Sequence, residues 1–436
     1  MPQNVLEDIR LSLEKHRLPL GVFNDPTLFE LEEKRIFKRS WHFLGHVTEI
    51  ANPGDYVIRY IVNDSFIVTR DSSGKINVLL NACRHRGRQL SRAEAGNTPS
   101  FTCPYHGWVY LNDGTLHDIP LQKATYGEDG IAKNALGLVP APQVAVWRGW
   151  IFACLDGKAA PLEEYLGDAA WYLDFYTNKT PGGLEVQGAP QRWIINADWK
   201  LAADNFVGDG YHTAMTHAST IKAGILPVQD GNFLFEGVQV ALEHFGVGFA
   251  RSDPMFNSLA YPPALVNSLR DRLNAQQIAL LDNGVSLPTH ANLFPNLSFL
   301  NAPAAYAPGK PPAPYLTFRT WRPLSAGKTE VWSWFLIERD APEEFKAASY
   351  QAYILSFGSS GTLEQDDAEN WTTITNAAKG QFGGTLELDY SMGSTHLQTM
   401  EDWPGPGSAY PLDFTEFSQR AFWHKWLAML EADRDD

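Results

Sequence analysis

The chain has 436 residues, of which 44% are hydrophobic and 19% charged, with a net charge of −15. That length exceeds one ordinary core and points to two domains. The charge argues against nucleic acid, because there is no surplus of Lys and Arg to neutralise phosphates. No basic leader precedes an apolar run at the N-terminus, and no stretch of about 18 apolar residues occurs, so neither a signal peptide nor a membrane span is expected. Three cysteines cannot make a disulfide framework. They suit a reducing, cytoplasmic setting, where Cys and His pairs suggest metal.

Residues 1–40 are predicted helical: "PTLFELEEKRIFKRSW" puts Leu28, Leu31, Ile36 and Phe37 near helical spacing. From residue 53 the texture changes. "GDYVIRYIV", "DSFIVTRD" and "KINVLLNA" are short β-branched runs separated by turn residues. The pattern runs through "SFTCPYHGWVYLNDGTLHD" and "VAVWRGWIFACLDG", so 41–156 is expected to be a small all-β domain. "KAAPLEEYLGDAAWYLDFY" reads as a helix leading into a second domain, 157–436. There "EVQGAPQRWIINADWKLAADNFVGDGYHTAMTH" reads as strand then helix. Strands are predicted at "FEGVQVALEHFGVGFARS", "NLSFLNA", "YLTFRTWRP" and "EVWSWFLIE", and helices at "APEEFKAASYQAYILSFG" and "SQRAFWHKWLAMLEAD". The mixture is α+β with an antiparallel sheet.

Two groups of residues carry chemistry. The first is "CRHRG" and "CPYHGW": Cys83 with His85, and Cys103 with His106. A structural zinc site is the plain alternative, but zinc fingers usually draw two Cys from one hairpin and two His from a helix. Here each loop supplies one of each, as a [2Fe–2S] cluster with two His on one iron requires. Cys154, in "WIFACLDG", reads as a buried strand residue. The second group lies in 196–217, with Asp209, His212 and His217. Asp209 and His212 stand three apart, on one face if helical. His212 and His217 stand five apart, about 140° off-face on a regular helix. Either the helix breaks near Met215 or His217 lies past its end. His-x4-His alone is more often a pair of structural histidines than a metal site.

"CRHRG…CPYHGW" resembles the Rieske motif of ring-hydroxylating oxygenase α subunits, and 199–217 resembles their mononuclear-iron segment. The resemblance runs from "LPLGVFNDPTLFELEEKRIF" to the C-terminal helix and is strongest at 83–108 and 199–217. It implies an N-terminal helical segment, 1–40, packing on the catalytic domain, then the Rieske domain. The third part is an α+β catalytic domain with an antiparallel sheet covered by helices, of helix-grip type. By the same resemblance Cys83 and Cys103 hold the inner iron and His85 and His106 the outer one. His212, His217 and Asp367, the last in "GTLEQDDAENWTTI", hold one Fe(II), with Asp366 the nearest competitor. Taken alone, Glu364, Asp366 and Asp367 would read as an acidic helix N-terminus. Asp209 would link His106 of one subunit to His212 of the next, making a homotrimer obligatory. "ADNF" at 203–206 and Gly210 depart from the common "AENF" and Ala.

The implied activity is addition of both atoms of O2 to an aromatic ring, giving a cis-dihydrodiol. The implied cofactors are one Rieske cluster and one Fe(II) per chain. No dinucleotide or P-loop motif occurs, so NAD(P)H would bind a separate reductase, feeding electrons directly or through a ferredoxin. β subunits, as α3β3, are common in this branch. The implied pocket residues are Asn205, Phe206, Thr213, Phe357 and Leu363, with no Arg or Lys among them, which favours a neutral arene over an aromatic carboxylate. Arg251 or Arg319, if turned inward, would reverse that preference. A monooxygenase or demethylase, an electron carrier with an inert second domain, and a zinc-stabilised binding module stand as alternatives. His42, His46, His117, His244, His290, His396 and His424 lack ligand spacing and read as surface or satisfied core residues.

Overall fold

The computed structural model describes residues 2–226, 237–251, 258–307 and 309–432; the side chain of Arg251 lies outside the described residues. The chain divides into two compact units, Phe37–Tyr165, and Met1–Ile36 together with Leu166–Asp436. Sequence texture placed its divisions at 40/41 and 156/157, a few residues from these.

The smaller unit is made mainly of strands. Asp55–Ile61 and Asp64–Arg70 form a hairpin closed by the pair Ile61–Asp64 across the two-residue turn Val62–Asn63. Ile76–Leu80 and Ala95–Asn97 extend it to four antiparallel strands. Trp41–His46, Gln143–Trp147 and Trp150–Cys154 form a second sheet, and Ser100–Thr102, Val109–Leu111 and Leu116–Asp118 a third. Cys154 is buried at the end of its strand. The all-β expectation needs one correction: the short helix Gln122–Tyr126 interrupts the strands.

The larger unit is built on a nine-stranded antiparallel sheet. Its strands are β1 Leu184–Val186, β2 Gln191–Ile195, β3 Gly237–Ala241, β4 Phe245–Arg251, β5 Val285–Leu293, β6 Leu297–Ala304, β7 Ala313–Ser325, β8 Lys328–Glu338 and β9 Ser408–Tyr410. The order is β1–β8–β7–β6–β5–β4–β3–β9, with β2 also on β8. Most of β7 and β8 is buried. Four helices frame the site: α1 Trp199–Gly208, α2 Glu343–Ser356, α3 Thr362–Ala378 and α4 Phe417–Glu431. Helix α1 packs on β5 and α4, and α2 on β7.

The predicted elements changed in several places. Residues 1–40 are not helical throughout: between the helices Pro2–Leu13 and Pro26–Glu32, Arg17–Pro19 is a strand paired with Glu387–Asp389. "KAAPLEEYLGDAAWYLDFY" forms two helices, Leu162–Leu166 and Ala169–Thr177, because Gly167 takes φ +43° between them. "FEGVQVALEHFGVGFARS" is the hairpin β3–β4; residues 235, 236 and 252 lie outside the described residues. Strand β5 has no counterpart among the predicted elements, and its sequence "VSLPTHANL" carries a proline. Pro288 sits opposite Phe249 where the β4–β5 register shifts, a place where a strand tolerates a missing N–H.

Candidate metal centres and their cavity

The two Cys/His loops of the smaller unit are folded alike. The N–H of Cys83 donates to Arg88 O (2.9 Å) and that of Gly87 to Cys83 O (2.8 Å). The N–H of Cys103 donates to Trp108 O (2.7 Å) and that of Gly107 to Cys103 O (2.9 Å). Each loop turns on a glycine four residues after its cysteine, Gly87 at φ +72° and Gly107 at φ +74°, a conformation costly for residues with a Cβ. Both cysteines belong to the unit's core, beside Trp108 and Tyr110, while His85 is half-buried and His106 exposed. The Tyr110 hydroxyl lies 3.3 Å from Cys83 Sγ.

His85 stacks on Trp108 with ring centres 4.9 Å apart and lies 4.4 Å from the ring of His106. Its Nδ1 is buried without a hydrogen-bond partner, which leaves a lone pair free for a metal. The donor set therefore fits a [2Fe–2S] group, with two thiolates inside and two imidazoles outside. Among the described residues, the group closing on a single ion is a different one: His212, His217 and Asp367.

Helix α1 ends at Gly208, with Asp209 as its C-cap, and a separate short helix covers Thr213–Thr216. Asp209 and His212 therefore do not share one helical face. A turn joins them, in which Asp209 Oδ1 accepts from the His212 N–H at 3.2 Å. His212 and His217 flank the short helix, and this break lets both rings aim at one point despite their spacing. Each presents Nε2 to Asp367 Oδ1 at 3.3 Å. That oxygen is buried and makes no aligned hydrogen bond. The three donors lie within 4.8 Å of one another, two imidazoles and a carboxylate with lone pairs converging, which fits a facial Fe(II) site.

The rear nitrogens are also held. His212 Nδ1 lies 2.5 Å from the Asp209 carbonyl and 3.5 Å from its carboxylate. His217 Nδ1 lies 3.2 Å from Asp366 Oδ2. Burial would lower the His212 pKa, but the Asp209 and Asp367 carboxylates together outweigh it and the pKa is raised; at His217 burial prevails over Asp367 and the pKa is lowered. The acidic run is no solvated helix end. Glu364 is fully buried, paired with Arg319, and burial pushes its carboxyl up to about 7 against the opposing guanidinium.

A cavity of about 150 Å³ opens beside the three donors. Asn205, Phe206, Thr213, Phe357 and Leu363 all line it. Arg319 lies behind this wall, over the Phe357 ring at 4.8 Å, and bonds Glu364 and the Phe357 carbonyl. His290, read from sequence as a surface or satisfied core residue, instead lines the cavity, with Asp413 at 3.3 Å. No spacing signal marked either residue, since they lie 123 positions apart. No helix among the described residues is long and apolar enough to cross a membrane.

Residues 162–404 match the family described as ring hydroxylating alpha subunit (catalytic domain), and 40–140 match the Rieske [2Fe-2S] domain. The N,N-dimethyl phenylurea N-demethylase subunit alpha of a Sphingobium sp. is 36% identical over 99% of this chain and 95% of its own length. The large oxygenase component of the naphthalene 1,2-dioxygenase system of a Ralstonia sp. is 34% identical over 94% and 91%. The crystal structure of a Rhodococcus sp. naphthalene 1,2-dioxygenase bound to indole superposes with a TM-score of 0.91 at 43% identity, covering 97% of this chain and 98% of that one. The chain belongs to the ring-hydroxylating oxygenase alpha subunits, and is an oxidoreductase that joins a Rieske [2Fe–2S] domain to their catalytic domain.

Proposed function

We propose that this chain is the terminal oxygenase of a multicomponent aromatic-ring dioxygenase. It adds both atoms of O2 to a neutral arene to give a cis-dihydrodiol, with electrons from NAD(P)H through a reductase and ferredoxin. The observation that carries this is the apolar cavity opening onto His212, His217 and Asp367. Cys83, His85, Cys103 and His106 would hold one cluster, and His212, His217 and Asp367 one Fe(II), per chain. When bound, the two supply single-electron transfer and O2 activation.

The protein's part is to hold donors and exclude water. Asp366 and Asp209 accept from the rear nitrogens, fixing each ring's tautomer and its aim. Phe206, Phe357 and Leu363 keep the reacting ring dry. With Arg319 tied to Glu364, no Arg or Lys lines the described cavity, which supports a neutral substrate over an aromatic carboxylate. Asp209, 32% exposed beside His212, suits contact with His106 of a neighbouring copy, hence a homotrimer, probed by slowed cluster oxidation in Asp209→Asn. β subunits and a cytoplasmic setting complete this reading.

The demethylase relative favours a second reading, monooxygenation. Product analysis under ¹⁸O2, with a β subunit, ferredoxin and reductase supplied, separates the two. A diol with both oxygens labelled is expected. A single labelled oxygen, or turnover of aromatic acids alone, would overturn the dioxygenase.

A further inference from the structure

One part of the cavity wall breaks the apolar pattern. His290 projects from β5, and Asp413 stands in the segment before α4. His290 Nε2 lies 3.3 Å from Asp413 Oδ2, and its Nδ1 lies 3.1 Å from the Phe206 carbonyl. Each ring nitrogen thus faces an oxygen that can accept from it, which fixes the ring in place. Burial would lower the His290 pKa, yet the Asp413 carboxylate and the Phe206 carbonyl together raise it.

The backbone is cleared around this pair. A Cβ at Gly248 would stand 2.2 Å from His290 Nε2 and 2.6 Å from Asp413 Oδ1. One at Gly210 would stand 2.5 Å from Asp413 Oδ2, and one at Gly237 2.6 Å from Asp413 Cβ. Three bare positions on separate segments make room for one ion pair. Phe414, next to Asp413, bridges to Asp209, which pins the segment against the metal site. Asp413 is 7% exposed and lines the cavity, and its Oδ1 is buried without a hydrogen-bond partner. A buried carboxylate oxygen lacking a donor is costly, and because Asp413 lines the cavity, a turn of its carboxylate toward a bound molecule would supply one.

We infer that His290 and Asp413 form a specificity-determining subsite that selects aromatic substrates bearing an N–H or O–H group. Asp413 accepts the hydrogen bond from the substrate, and His290 holds the carboxylate in place. This rests on the oxygenase reading above and narrows its substrate class from neutral arenes in general to those carrying one donor. Anionic arenes are disfavoured because the free acceptor is itself a carboxylate oxygen.

Indole and indene make the test, since they differ in an N–H against a CH2 at nearly equal size. Their dissociation constants are measured by anaerobic equilibrium dialysis with the holoenzyme, and their oxidation rates compared. A cavity without a polar partner prefers indene, because the indole N–H is costly to desolvate. The wild type is expected to bind indole about tenfold tighter than indene. N-methylindole should lose that advantage, and Asp413→Leu should shift the indole-to-indene ratio toward indene. Equal or indene-favouring binding by the wild type overturns the subsite, whatever the fate of the variant. If the compounds bind but neither is oxidised, the oxygenase reading fails instead, and the binding ratio still reports on Asp413.

Discussion

Asp366 and Asp367 are adjacent in sequence and face opposite nitrogens of His217. Asp367 meets Nε2 and Asp366 meets Nδ1, so substitutions should separate them. Asp367→Asn is expected to lose the mononuclear iron while keeping the cluster. Asp366→Asn should keep the iron with affinity lowered about 10–100-fold, because it disturbs only the ligand's orientation. Chelator competition measures both, and equal losses would put the two carboxylates in one role. Glu364, one helical turn before Asp367, gives a pH effect. Its carboxyl is raised from 4.5 to about 7, so its favourable contribution is complete below the lower value and is lost as pH rises through the higher one. The urea midpoint of the wild type should fall across that window relative to Glu364→Gln. Parallel pH profiles would remove Glu364 from the explanation.

The cluster loops show how an element depends on its glycines. Gly87→Ala meets nothing within 4 Å, so it should cost only the left-handed backbone strain, about 1–2 kcal/mol. Gly107→Ala also brings a Cβ to 2.8 Å from Pro120 Cγ, and should lose cluster absorbance at a lower temperature than Gly87→Ala. The reverse order would contradict the packing described for Pro120. These loops were legible in sequence because C-x-H-x-G and C-x2-H-G place donors and turn within six residues. The short helix between His212 and His217 was half legible: the five-residue spacing forced a break without locating it. Strand β5 was hidden, because Pro288 masks its pattern and its pairing depends on a register shift with β4. The loss of β5 hid His290, and Asp413 carries no local signal at all; only folding brings the two together.

At the scale of the whole chain, the larger unit takes its first segment from far away in sequence. Glu32 is fully buried and accepts from Trp199 Nε1 (2.9 Å), Lys200 Nζ (2.8 Å) and Trp426 Nε1 (2.9 Å). One carboxylate thus ties the N-terminal helices to α1, which leads to the iron donors, and to α4. Glu32→Ala strands two indoles and weakens the hold on a buried ammonium, at a cost of about 3–5 kcal/mol. Because the chain folds as two compact units, tryptophan fluorescence should show the larger unit unfolding earlier while cluster absorbance in the smaller one melts as before. Simultaneous loss of both signals would contradict that division.

The most direct measurement is iron content per chain with electron paramagnetic resonance of the reduced protein, in the wild type and in Asp367→Ala. About three irons in the wild type and about two in the variant, with the same Rieske signal in both, is the result predicted from the two donor sets. About two irons in both proteins would mean that His212, His217 and Asp367 hold no metal, and the cavity beside them would not be an oxygenase site.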